Sequence, residues 1–139
     1  MRSTPLPWRS VLIVLLAAGS QNAAGPAQAA TPSDVLAGYR GASGNAPASI
    51  DRGQKLFTAT QGREWSCASC HGALPTQGGK HANTGKPIAP LAPAFNPERF
   101  TDAAKTEKWF RRNCNDVMGR ECTAAEKADL LTWLLSLKS

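Results

Sequence analysis

Cys67-Ala68-Ser69-Cys70-His71 is the stretch on which the reading of this chain turns. It sets two thiols three positions apart, with an imidazole directly behind the second. At that spacing both thiols can add across the vinyl groups of a haem as thioethers, and the histidine is then held under the iron as proximal ligand. Other uses of these residues fit less well. A thioredoxin-like C-x-x-C belongs near a βαβ pattern, and no strand run of useful length occurs here. A zinc site needs a second close pair, whereas Cys114 and Cys122 stand eight apart. A plain Cys67–Cys70 disulfide leaves His71 without a role. The motif therefore predicts one covalent haem c on Cys67, Cys70 and His71.

Outward from the motif, Thr58 to Pro97 shows little periodicity and holds five of the ten prolines. So long an irregular stretch inside a compact domain implies that it wraps something. Helical patterns flank it. Thr31-Pro32-Ser33-Asp34 predicts a short helix with a Thr N-cap and Pro in its first turn, stopped by Gly41. Ser49 to Phe57 carries Ile50, Gly53, Leu56 and Phe57 at helical spacing. Thr101-Asp102 caps a helix expected to end near Arg112, with Lys108, Arg111 and Arg112 suited to its negative end. Thr123-Ala124-Ala125-Glu126 is a capping box opening a helix with Leu130, Leu131, Trp133, Leu134 and Leu137 on a broad apolar face. The expected fold is all-α, with a long loop layer around one haem.

Residues 1–29 have the pattern of a secretory signal peptide. Arg2 and Arg9 precede the apolar run Val11 to Ala18, and Ala27-Gln28-Ala29 is an A-x-A cleavage site. That run is well short of the roughly 20 residues a membrane-spanning helix needs, so residues 30–139 are expected to form a mature domain without a span. The expected compartment is the periplasm, where disulfides persist. Of 139 residues, 16 are Lys or Arg and 10 are Asp or Glu, a formal charge of +6. Removing Arg2 and Arg9 with no acid lowers this to +4. The remaining bases are scattered, and nucleic acid is not an expected partner. Aromatic residues make up only 6% of the chain, a thin core unless a porphyrin supplies apolar mass.

The arrangement resembles class I cytochromes c, in which an N-terminal helix bearing a Gly and, four residues on, an aromatic crosses a C-terminal helix bearing another aromatic. Gly53 and Phe57 match the first helix and Trp133 the second. A second resemblance is more specific. The runs Thr84-Gly85-Lys86-Pro87-Ile88-Ala89-Pro90-Leu91-Ala92-Pro93, Arg99-Phe100-Thr101-Asp102, Lys108-Trp109-Phe110-Arg111-Arg112-Asn113-Cys114-Asn115, Gly119-Arg120-Glu121-Cys122-Thr123 and Glu126-Lys127-Ala128-Asp129-Leu130-Leu131 look like the sphaeroides haem protein family. The likeness extends over most of residues 31–137. It implies an oxygen-binding monohaem cytochrome c whose sixth iron ligand is the asparagine before the first cysteine of a disulfide. Carried onto this chain, the ligand is Asn113 and the bridge is Cys114–Cys122.

Two ligand readings stay open in the sequence. Met118 lies between the two cysteines, and a thioether is the usual sixth ligand of an electron-carrying cytochrome. Asn113 by itself also suits a left-handed helix C-cap, just past a helix ending near Arg112. As a ligand, its amide oxygen is a hard, weak donor, tolerated by Fe(III) and poorly matched to Fe(II). Reduction would release it and admit O₂, CO or NO. Three functions follow: a ligand-switching gas-binding cytochrome, a Met118-ligated electron shuttle, or a gas-binding or sensing module. Turnover of O₂ or NO is left undecided.

Smaller expectations concern the surroundings. Pro90 is expected to lend its carbonyl to His71 Nδ1, and His81 to be a solvated loop residue. Gly72 to Pro97 has Lys80 and Lys86 and no acid, and Arg99 to Arg112 has five bases against two acids. A basic rim would steer an acidic redox partner, which the resemblance implies is another cytochrome c, typically dihaem.

Overall fold

The computed structural model describes residues 29–138. The signal-peptide reading falls almost wholly on residues outside that range. Five helices, α1 (Pro32–Ala42), α2 (Ile50–Thr58), α3 (Cys67–His71), α4 (Ala103–Met118) and α5 (Ala124–Ser136), carry nearly all the regular structure. Two strands, β1 (Gly79–Lys80) and β2 (Pro87–Ile88), form an antiparallel pair with Gly79 opposite Ile88. The expected all-α architecture, with a helix near the N-terminus crossing the C-terminal one, holds.

Helix α5 is the centre of the molecule, with α1 and α2 packed on it. Its start is fixed locally: Thr123 accepts from the Glu126 N–H while the Glu126 carboxylate accepts from the Thr123 N–H. Lys127 to Leu131, Trp133 and Leu134 are all buried. Helix α2 crosses it at Gly53, where an added Cβ would collide with the Asp129 carbonyl and touch Trp133 Cβ. Only glycine allows that approach. One turn on, the Phe57 ring lies 4.8 Å from Trp133, and with Leu130 and Leu134 they form the core cluster.

Two polar ties hold the helices on α5. Arg52 grips the buried Asp129 carboxylate with Nε and Nη2 at 2.7 and 2.8 Å, and the Ser49 N–H donates to it at 2.7 Å. The buried Lys127 ammonium donates to both Glu107 oxygens, at 2.7 and 2.9 Å. The Tyr39 hydroxyl donates to the same carboxylate, and its ring lies 5.5 Å from the Lys127 Nζ. A charge so deeply placed needs such a partner, because unpaired burial costs several kcal/mol.

Three boundary expectations need correction. Helix α1 runs through Gly41 to Ala42, and the chain turns at Gly44 and Asn45, both with positive φ. Helix α4 does not stop near Arg112 but continues to Met118, so Asn113 is helical and not a left-handed cap. Gly119 takes that conformation, with φ 72° and ψ 9°. Lys108, Arg111 and Arg112 therefore lie mid-helix, away from the negative end. The reason is tertiary: Cys114 is buried and bonded to Cys122, which carries the helix past the polar run.

Candidate haem-binding site

Helix α3 is a single turn, and its i, i+3 spacing brings Cys67 and Cys70 to one side. Its start is set by Ser66 and Ser69: the Ser66 N–H donates to Ser69 Oγ at 3.0 Å. Gly72, at φ 77°, turns the chain away after His71. Both thiols are free. Burial pushes the Cys67 thiol up to about 11, so it stays protonated. Cys70 Sγ accepts from the Ala82 N–H at 3.3 Å, and Gly79 lies so close under the Cys70 carbonyl that no Cβ could fit. The β1–β2 hairpin thus braces the motif. His81 lies in the loop that joins the two strands, where its half-exposed ring accepts at Nδ1 from the Thr84 N–H at 3.3 Å.

His71 sits 6.1 Å from the Phe57 ring, joining the motif to the core. Burial, aided by the Arg99 charge, pushes its pKa down to about 4. The ring is neutral at pH 7 and keeps the lone pair that iron ligation requires. The expected Pro90 partnership does not form. Arg99 Nε and Asn96 Nδ2 both donate to the Pro90 carbonyl, at 2.9 and 3.2 Å, filling its two lone pairs. Arg99 Nη2 also takes the Ala89 carbonyl at 2.8 Å. Arg99, invisible as a site residue in the sequence, fastens the loop that faces His71.

The residues present fit a haem. Leu56, Leu91, Phe100, Phe110 and Leu137, together with Cys67 and Ala68, are half-buried against the core cluster, so apolar side chains share that cluster with the motif's free thiol and neutral imidazole. Phe100 holds φ 60°, a left-handed conformation disfavoured for an aromatic, while stacking 6.3 Å from Phe110.

Asn113 shares one side of α4 with a buried residue and a core-packed one. Thr106, Phe110, Asn113 and Val117 follow one another at helical spacing; Thr106 is buried and Phe110 packs on the core, yet Asn113 is exposed. Asp116, three residues on from Asn113, lines an open depression of about 430 Å³ with the loop Gly62 to Trp65. Met118 is turned elsewhere. Its Sδ lies 3.5 Å from Cys122 Sγ, a sulfur–sulfur contact rather than a hydrogen bond, since Cys122 carries no proton. The Cys114–Cys122 disulfide spans Cα atoms 5.6 Å apart and pins the residue after Asn113 to the start of α5.

Over residues 43–134 the chain matches a family described as Domain of unknown function (DUF1924). It is 55% identical over 117 residues to cytochrome c-type protein SHP of Cereibacter sphaeroides, covering 80% of this chain and 89% of that protein. Its fold matches the structure of oxidized SHP, an oxygen binding cytochrome c, with a TM-score of 0.72 at 50% identity over 78% of this chain and 99% of that one. It also matches the solution structure of Methylophilus methylotrophus cytochrome c'', described in terms of haem-ligand detachment. There the TM-score is 0.68 at 35% identity, covering 78% and 94% of the two chains.

Proposed function

The chain belongs to the family described as Domain of unknown function (DUF1924), among c-type cytochromes related to SHP, and from this premise we propose that it is a periplasmic monohaem cytochrome whose Asn113 ligand leaves on reduction and makes way for a diatomic gas. Haem c, held through Cys67, Cys70 and His71, supplies a one-electron couple and a ligand position for O₂, CO or NO. The chain's own residues set how that position is guarded. His71 stays neutral through burial and so serves as an imidazole ligand.

Asn113 offers a hard amide oxygen that suits ferric iron and binds ferrous iron poorly. The disulfide at Cys114 keeps the residue within reach for return on oxidation. The observation that carries this reading over Met118 ligation is the placement of the two side chains. Asn113 shares the side of α4 that carries buried Thr106 and core-packed Phe110, whereas the Met118 sulfur rests on the disulfide.

The electron is supplied by an acidic redox partner, another cytochrome c. SHP is an oxygen binding cytochrome c, and the structure of cytochrome c'' is described through haem-ligand detachment; both agree with a releasable ligand here. No helix among the described residues is long and apolar enough to cross a membrane. The test is the ferric spectrum of two variants. Asn113→Ala should convert the ferric protein to high spin, and Met118→Leu should leave it unchanged. The opposite pattern refutes the proposal.

A further inference from the structure

Helix α4 has an outward side that the fold leaves unused. Lys105, Lys108 and Arg112 share it at i, i+3 and i+7, and Arg111 flanks them; all four are exposed. None belongs to an ion pair among the described residues, since the neighbouring acid Glu107 is taken by Lys127. Trp109 stands at the edge of this strip, 46% exposed, with the Arg112 guanidinium 5.6 Å above its ring. Elsewhere on the surface the cations are dispersed or paired: Arg52 with Asp129, Arg120 with Glu126.

An aromatic side chain next to arginine, ringed by unpaired charge, is the composition of a protein-binding hot spot. We propose that this side of α4 docks the acidic face of an electron-donating redox protein, delivering the electron along the helix that carries Asn113. The inference rests on the reading of the chain as an electron acceptor. The transfer is balanced simply: one electron leaves the donor and ferric iron becomes ferrous, with no bond made between the partners. A protein surface fits better than nucleic acid, because four cations on two helical turns do not trace a phosphate backbone. A membrane surface would favour a wider apolar face than one tryptophan.

The test follows reduction of the ferric holoprotein by reduced flavodoxin, an acidic donor used as probe, and by reduced lumiflavin, a small donor that needs no docking. Reversing Lys108→Glu with Arg112→Glu should slow the flavodoxin reaction about ten-fold or more at low salt and flatten its salt dependence, whereas Arg40→Glu with Lys55→Glu should change it less than about two-fold. The lumiflavin rate should not move with either pair. Equal losses for the two pairs, no loss for either, or a parallel fall in the lumiflavin rate would overturn the docking surface. So would binding to phosphatidylglycerol vesicles or single-stranded DNA that depends on Lys108 and Arg112 while the flavodoxin rates stay fixed. Failure of the ferrous protein to bind CO would instead overturn the ligand-release reading, and these rates would still decide the docking.

Discussion

Met118 Sδ lies 3.5 Å from Cys122 Sγ, on a different side of α4 from Asn113. On a helix turning 100° per residue the two side chains point well apart, so they are not interchangeable occupants of one position. Met118→Leu should therefore act as a packing change beside the disulfide. It should cost less than about 1.5 kcal/mol in denaturant unfolding, as volume-conserving swaps do. The ferric and ferrous spectra of the holoprotein should be those of the parent. A changed ferric spectrum would assign Met118 to the iron.

Gly53 is fixed by the backbone of α5. Gly53→Ala puts a Cβ against the Asp129 carbonyl, where no flexible side chain can yield. The two helices must separate, disturbing the Phe57–Trp133 contact as well. Overpacking of this kind should lower stability by about 3 kcal/mol, read as a shift in the denaturant midpoint at unchanged slope.

The Lys127–Glu107 tie gives a signed pH dependence. Hydrogen bonding from Lys127 holds the Glu107 carboxyl below its ordinary value of 4.5, helped by Tyr39 and the Arg111 charge. A lowered folded value means that this stability is complete above the unfolded value and is lost as pH falls through the folded one. Glu107→Gln should reduce stability at pH 7 by about 2 kcal/mol, discounted for the half-exposed carboxylate, because the buried ammonium loses its counter-charge. The difference from the parent should shrink as pH falls below the ordinary carboxyl value of 4.5 and through the lowered folded one. A difference independent of pH would refute the electrostatic origin.

Replacing Cys114 and Cys122 together by Ser removes a crosslink around a loop of about nine residues. The chain-entropy model puts the loss near 2.6 kcal/mol. If the bridge also holds Asn113 in reach, the ferric protein should show a larger high-spin fraction than the parent. A loss of stability with an unaltered spectrum would confine the bridge to a structural role.

Much of the fold is legible from sequence because its signals are local. Thr31 and Thr123 announce helix starts by their own side-chain bonds, and Gly53, Phe57 and Trp133 mark the helix crossing by residue type and spacing. The haem motif is legible for the same reason. What escaped the sequence depends on distant partners. Lys127 and Asp129 look like solvated charges in an otherwise apolar helix, yet both are buried against acceptors or donors from other helices. The polar run around Arg112 imitates a helix end, whereas α4 runs on past the bridged Cys114 to the left-handed turn at Gly119. Arg99 reads as one more surface base until the loop folds its Pro90 and Ala89 carbonyls onto it. Gly79 carries a local hint of its role, since a Gly78-Gly79 pair suggests close backbone approach.

The absorption spectrum of the ferrous holoprotein, recorded before and after adding CO, tests the central claim most directly. The account predicts a five-coordinate ferrous spectrum that converts to a CO complex without delay, because Asn113 has already left. A six-coordinate ferrous spectrum that CO does not alter would contradict it.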